Sequence, residues 1–178
     1  MNFYISDLHL GHANILRWDQ RPFADVEEMH REIIRRWNAA VSPGDTVYLL
    51  GDVAWKTKIA QEILPQLRGK KYLIRGNHDK RSEEYSALFS SVEEHAAVKD
   101  GGELLILCHY PIAHWNGQYQ GAVHLYGHVH RTQDYDAFLQ YGAHCRSKGI
   151  PFEAYNVGCM LPYMDYTPRT LEELLPHA

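Results

Sequence analysis

The 178 residues suffice for one compact domain, expected to span residues 1–178, with a substantial core. Hydrophobic residues make up 45% and charged residues 22%, ordinary for a soluble globular protein. The net charge of −4 comes with no lysine- or arginine-rich block, which argues against long nucleic acid held by charge, and no apolar stretch is long enough to span a bilayer.

The chain opens on Asn2-Phe3-Tyr4-Ile5-Ser6-Asp7-Leu8-His9-Leu10-Gly11-His12. Residues 3–5 are a short run of aromatic and β-branched side chains that suits a buried strand. Asp7 and His9 stand two apart just beyond it, so a backbone still extended there points both side chains the same way, a carboxylate beside an imidazole. No basic segment followed by a hydrophobic one precedes this run, and the chain is read as cytoplasmic. Residues 13–18 read as a short helical turn before Arg21-Pro22-Phe23. Asp25 with Glu28 has capping-box spacing, and Val26, Met29, Ile33, Ile34 and Trp37 recur at helical period over 26–40. A turn at Ser42-Pro43-Gly44-Asp45 leads to a buried strand over 46–50 that ends in Gly51-Asp52-Val53. A helix over 58–67 follows, then a strand over 72–74 that ends in Arg75-Gly76-Asn77-His78-Asp79. Strand, helix, strand, helix, strand predicts parallel crossovers.

The second half carries more strand signals. Residues 92–98 and 103–107 flank the turn Lys99-Asp100-Gly101-Gly102, and the second run ends in Cys108-His109-Tyr110-Pro111. A strand over 123–126 ends in Gly127-His128-Val129-His130, residues 153–157 make a last strand, and 170–175 a short helix. Residues 113–122 and 134–152 lack pattern and are expected to be long loops that shape a substrate pocket. Cys108, Cys145 and Cys159 have no CxxC spacing and indicate neither disulfides nor a thiolate metal site.

Five expected strand ends thus carry Asp7/His9, Asp52, Asn77/His78, His109 and His128/His130, with Gly51, Gly76 and Gly127 where the chain must leave a strand sharply. In open sheets with crossover helices such ends converge on ligands. Asp7, His9, Asp52, Asn77, His109, His128 and His130 are all oxygen or nitrogen donors. They are too many for one tetrahedral ion and suited to two ions that share a carboxylate.

In order, Asp7-x-His9, Gly51-Asp52, Gly76-Asn77-His78-Asp79, His109 and Gly127-His128-x-His130 resemble the five motifs of the calcineurin-like metallophosphoesterases, over residues 2–158. The Ser6–His12 opening and the small size look like the compact single-domain bacterial and phage members. The residue pattern alone gives α/β with a strand-rich second half; the resemblance implies two mixed β-sheets packed face to face and flanked by helices. It further implies one metal on Asp7, His9, Asp52 and His130, the other on Asp52, Asn77, His109 and His128, and His78 as transition-state stabiliser or acid. Nitrogen and oxygen donors admit two divalent transition-metal ions, with Mn favoured and Fe, Ni, Co or Zn acceptable. The implied function is phosphate-ester hydrolysis by in-line attack of a metal-bridging hydroxide, of phosphodiester or cyclic-nucleotide type. A phosphomonoesterase or protein phosphatase is the rival, and a non-catalytic metal-binding interaction module a third reading.

The expected partner is a small phosphate ester or nucleotide; the oligomeric state is open. His12 either contacts a substrate phosphate or caps the next helix, and Arg75 is placed to reach a phosphate oxygen. Trp115 with Tyr119 is read as a nucleobase platform, and His114, Asn116 and His124 as pocket lining. His30, His95, His144 and His177 are read as surface or core histidines.

Overall fold

The computed structural model describes residues 1–177, His177 by its backbone alone, so the expectations for the His177 side chain and for Ala178 lie outside the described residues. Strands β1 (Asn2–Ile5), β2 (Thr46–Leu49), β3 (Lys70–Ile74) and β4 (Val92–Glu93) form one parallel sheet in that order. Helices α1 (Ala13–Trp18), α2 (Val26–Ala40) and α3 (Thr57–Ile63) lie in its connections. Strands β5 (His95–Asp100), β6 (Glu103–Cys108), β7 (Val123–Tyr126) and β8 (Ala154–Asn156) form the second sheet, antiparallel only across the β5–β6 hairpin. Helix α4 (Gln133–Ser147) joins β7 to β8, and α5 (Leu171–Leu174), capped by Thr170, closes the chain.

One apolar core joins the sheets: Ile5, Leu49 and Leu73 from the first pack with Leu105, Leu107, Leu125 and Val157 from the second, and Met29, Ile33 and Trp37 of α2 belong to the same cluster. Alternation along β6 sends Ile106 to the opposite face, where it meets Trp115, Cys145 and Phe152. The second sheet is therefore covered on both sides. At the β1 end the sheets are stitched by Ser6, whose N–H donates to Val157 O at 2.8 Å and whose carbonyl accepts from Cys159 N–H at 3.0 Å. Tyr4 Oη donates to Asp100 on β5 at 2.8 Å and adds a second tie. No helix among the described residues is long and apolar enough to cross a membrane.

Three expectations need correction. The expected strand over 92–98 is two strands in different sheets, with the break at Glu94; no glycine or proline marks it. The expected loop over 134–152 is mostly α4, of which only Gly142 and Cys145 are buried. Asp25 does accept from Glu28 N–H at 2.7 Å, but the Glu28 carboxylate reaches back to Ala24 N–H, one residue beyond the cap.

His124 is core, not pocket lining. Its Nδ1–H donates to Ile106 O at 3.0 Å and its Nε2 accepts from Ile112 N–H at 3.2 Å, so only the neutral ring satisfies both partners. Burial pulls its pKa down to about 4. The unfolded chain takes up this proton near pH 6.5 and the folded chain does not. Stability is thus full above pH 6.5 and falls as pH drops toward 4, by roughly 1.4 kcal/mol per unit and about 3 kcal/mol in all. Urea unfolding of metal-free protein at pH 7.5 and 4.5 is expected to show a shallower acid loss for His124→Gln than for wild type. Parallel losses would remove His124 from this role.

Candidate metal centre

Asp7/His9, Asp52, Asn77/His78, His109 and His128/His130 follow the ends of β1, β2, β3, β6 and β7. The backbone that presents them is not the extended chain expected. Asp7, His9, Asp52, His128 and His130 all have left-handed φ, at +58°, +50°, +53°, +72° and +47°. Each such non-glycine residue costs about 1–2 kcal/mol, and strain of this kind persists only where surrounding bonds impose it. Here Asp7 N–H donates to Gly51 O at 3.0 Å and His9 N–H to Asp52 O at 2.9 Å, which pins the first motif to the second. Gly76 and Gly127 let the loops close: a Cβ on Gly76 would lie 2.6 Å from Asp52 N, and one on Gly127 2.6 Å from Asp7 Oδ2.

Metal-ligating atoms of Asp7, His9 and His130 lie within 4.8 Å of one another, as do those of Asp7, Asp52 and His109. Asp52 spans the cluster, with Oδ2 3.6 Å from His9 Nε2 and Oδ1 3.7 Å from His109 Nε2. Asn77 Oδ1 stands 3.2 Å from His109 Nε2. The His128 ring centroid is 5.0 Å from that of His109, and the His128 N–H donates to Asp7 at 3.1 Å. His78 lies at the rim, its N–H donating to Asp52 Oδ1 at 2.9 Å and its Nε2 3.9 Å from Asp52 Oδ2.

The hydrogen bonds behind these residues decide their chemistry. His109 Nδ1 meets Leu50 O at 2.7 Å, and a carbonyl can only accept, so the proton is on Nδ1 and Nε2 presents a lone pair. His130 Nδ1 likewise donates to Asp19 Oδ1 at 2.7 Å, which turns its Nε2 on His9 Nε2, 3.2 Å away; burial opposes its charge, but the bond to Asp19 and the nearby Asp7 carboxylate push its pKa up in the metal-free chain. The His109 lone pair therefore faces the Asp52 carboxylate and Asn77 Oδ1, and the Nε2 atoms of His9 and His130 meet beside Asp52 and Asp7, an arrangement that a cation would hold together. Burial pushes the Asp52 carboxyl up to about 6, with His109 opposing and Asp7 adding to the rise. Burial also holds His9 well below the usual imidazole range, in the neutral form that ligates. The residues present fit divalent metal.

Sequence reasoning missed the supports. Arg21 is buried and donates to Asp19 Oδ2 at 2.9 Å, Leu8 O at 2.8 Å and Asp7 O at 2.8 Å, which fixes both Asp19 and the first motif. Asp79, quoted in a motif without a role, accepts from the N–H groups of Asp52 at 2.7 Å, Gly76 at 2.8 Å and Val53 at 3.0 Å, welding two ligand loops together. An acidic residue two before an arginine in a short connection carries no signal of its own. Asp19→Asn is expected to weaken metal affinity by about tenfold with the fold intact, the usual effect of losing a carboxylate behind a ligating histidine. A chelator-competition titration reads this, and unchanged affinity would mean that Asp19 only braces Arg21.

A cavity of about 350 Å³ opens over the cluster, lined in part by His9, His12, Asp52, Asn77, His78 and His130. No residue of 113–122 or 134–152 lines it, contrary to expectation. His12 makes no side-chain cap to α1; its ring stacks on Trp55 at 4.1 Å and 5°. Arg75 does not line the cavity but pairs with Glu94 at 2.9 Å and Glu83 at 3.7 Å. Trp115 is no nucleobase platform: it is buried, and its Nε1–H donates to Ala122 O at 2.8 Å. Exposed aromatics that line the cavity beside His12 are Trp18 and Trp55, 60% and 47% accessible.

Comparison with known proteins agrees with this geometry. An uncharacterized protein of Methanocaldococcus jannaschii is 37% identical over 131 residues, 72% of this chain and 68% of its own length. The gene 66 protein of Mycobacterium phage L5 is 29% identical over 160 residues, 72% of this chain and 76% of its own. A solved structure of a protein of unknown function from Aquifex aeolicus superposes with a TM-score of 0.74 at 26% identity, covering 97% of this chain and 96% of that one. Residues 2–150 match the calcineurin-like phosphoesterase superfamily domain, and with that match across most of its length the chain belongs to this superfamily.

Proposed function

We propose that this chain is a metal-dependent hydrolase of phosphate esters, with diesters and nucleotide-type esters favoured over monoesters. The convergence of the ligating atoms of His9, His109 and His130 with those of Asp7 and Asp52 carries the reading. Asp7, His9, Asp52 and His130 would hold one divalent ion, and Asp52, Asn77, His109 and His128 the other, with Mn favoured and Fe, Ni, Co or Zn acceptable. Bound there, the two ions supply an activated water and neutralise charge on the phosphate oxygens. His78, 40% exposed at the cavity wall, donates a proton to the leaving oxygen. His12 and Asn77 line the same cavity and orient the phosphate.

Charge supports the diester. No lysine or arginine lines the cavity, and Arg21 and Arg75, close to the ligand motifs in sequence, are committed to Asp19 and to Glu83 and Glu94. A monoester dianion calls for more fixed positive charge than a diester monoanion. The free thiols Cys108, Cys145 and Cys159 fit the reducing cytoplasm, and the shared core supports a single domain over residues 1–178.

Metal-stripped protein reloaded with Mn, Ni or Zn tests this against bis(p-nitrophenyl) phosphate and p-nitrophenyl phosphate. Metal-dependent turnover is expected, with kcat/KM about tenfold higher for the diester, a difference of roughly 1.4 kcal/mol in barrier. Monoester turnover alone would make the chain a phosphatase. Silence on both with metal bound would favour the interaction module.

A further inference from the structure

His78 and Trp55 are walls of two cavities at once. On one side is the metal cavity; on the other is a cavity of about 340 Å³, bordered further by Lys56, Lys58, Arg81 and Glu84. Three cations face one carboxylate there, in a chain whose net charge is −4. Arg81 and Glu84 pair with each other at 2.5 Å, whereas Lys56 and Lys58 make no ion pair among the described residues. Trp55 has one ring face on His12 and is still 47% accessible, and its ring centroid lies 5.3 Å from that of His78. A flat aromatic and uncommitted ammonium groups thus adjoin the residue assigned to the leaving oxygen. Aromatic faces stack nucleobases, and lysines hold phosphate as point charges.

We propose that this second cavity seats the leaving arm of the substrate and takes a further phosphate carried by a nucleoside, with the base against Trp55 and the phosphate on Lys56 and Lys58. The substrate class is then a nucleotide ester with more than one phosphate. This rests on the phosphoesterase reading, and on His78 facing the leaving side. It also explains why the metal cavity holds no lysine or arginine while the cavity beyond it does: the scissile diester carries one charge, and the extra phosphate lies elsewhere.

Binding to metal-free protein at pH 8, followed by tryptophan fluorescence with ADP and with adenosine, separates the two claims. ADP is expected to bind about tenfold more tightly than adenosine. In Lys56→Ala/Lys58→Ala that preference should shrink to about twofold, since two partly screened contacts are removed, with adenosine affinity and melting temperature unchanged. Trp55→Leu should weaken both ligands together. Equal binding of ADP and adenosine to wild type, or a preference kept by the double lysine variant, overturns the inference even where the metal-loaded enzyme hydrolyses the nitrophenyl diester. An ADP preference that depends on the lysines, in a protein that hydrolyses nothing when loaded, supports the cavity and overturns the phosphoesterase reading instead.

Discussion

Asp52→Asn is expected to lower kcat on a phosphodiester by about a thousandfold or more, the scale associated with removing a group that organises the reacting charges. Asp52 is buried, with one oxygen toward His9 and the other toward His109, so in the proposed two-ion centre it is the side chain that would serve both. Asparagine keeps the shape and can still accept from His78 N–H through Oδ1, but it lacks the charge that two cations share. Stability should move the other way. In the metal-free chain the Asp52 carboxylate is desolvated beside Asp7, and its pKa sits near 6; a neutral replacement relieves that repulsion. Metal-free Asp52→Asn should therefore melt at or above wild type while its activity is lost. Lost activity with a lowered melting temperature would point to a damaged loop.

His78→Ala is expected to separate substrates by leaving group. On a diester with an alkoxide leaving group, kcat should fall by roughly 10²–10⁴, the range for a general acid. Nitrophenolate departs without a proton, so bis(p-nitrophenyl) phosphate should lose about tenfold or less. His78 suits this role because its ring is partly exposed at the cavity wall while its backbone is tied to Asp52. Equal losses on both substrates would make it a positioning or charge-stabilising residue.

That these residues would converge was legible because their types and order at strand ends point to one site, and the parallel first half followed from alternating strand and helix patterns. The backbone that brings them together was not. Asp7 and His9 converge through two left-handed residues, not an extended strand; Asp and His are enriched in that conformation, but it is too rare overall for the sequence to place it. Helix α4 stayed hidden although Tyr135, Phe138, Leu139 and Tyr141 keep to one side at helical spacing: polar residues and Gly142 break up the apolar signal, and only two of its residues are buried. Strands β4 and β5 merged in the sequence because the break at Glu94 falls inside an unbroken strand-like run. Trp115 was misplaced for a related reason: an aromatic beside a motif in sequence is not thereby beside the site, and only the fold turns Trp115 inward and leaves Trp18 and Trp55 at the rim.

The most direct test of the account is to count the divalent ions bound per chain. Stripped protein reloaded with Mn and weighed by native mass spectrometry should carry two ions, and Asp52→Asn at most one, with diester turnover rising as the second site fills. Full turnover at one ion per chain, or turnover that survives in stripped protein under excess chelator, would contradict it.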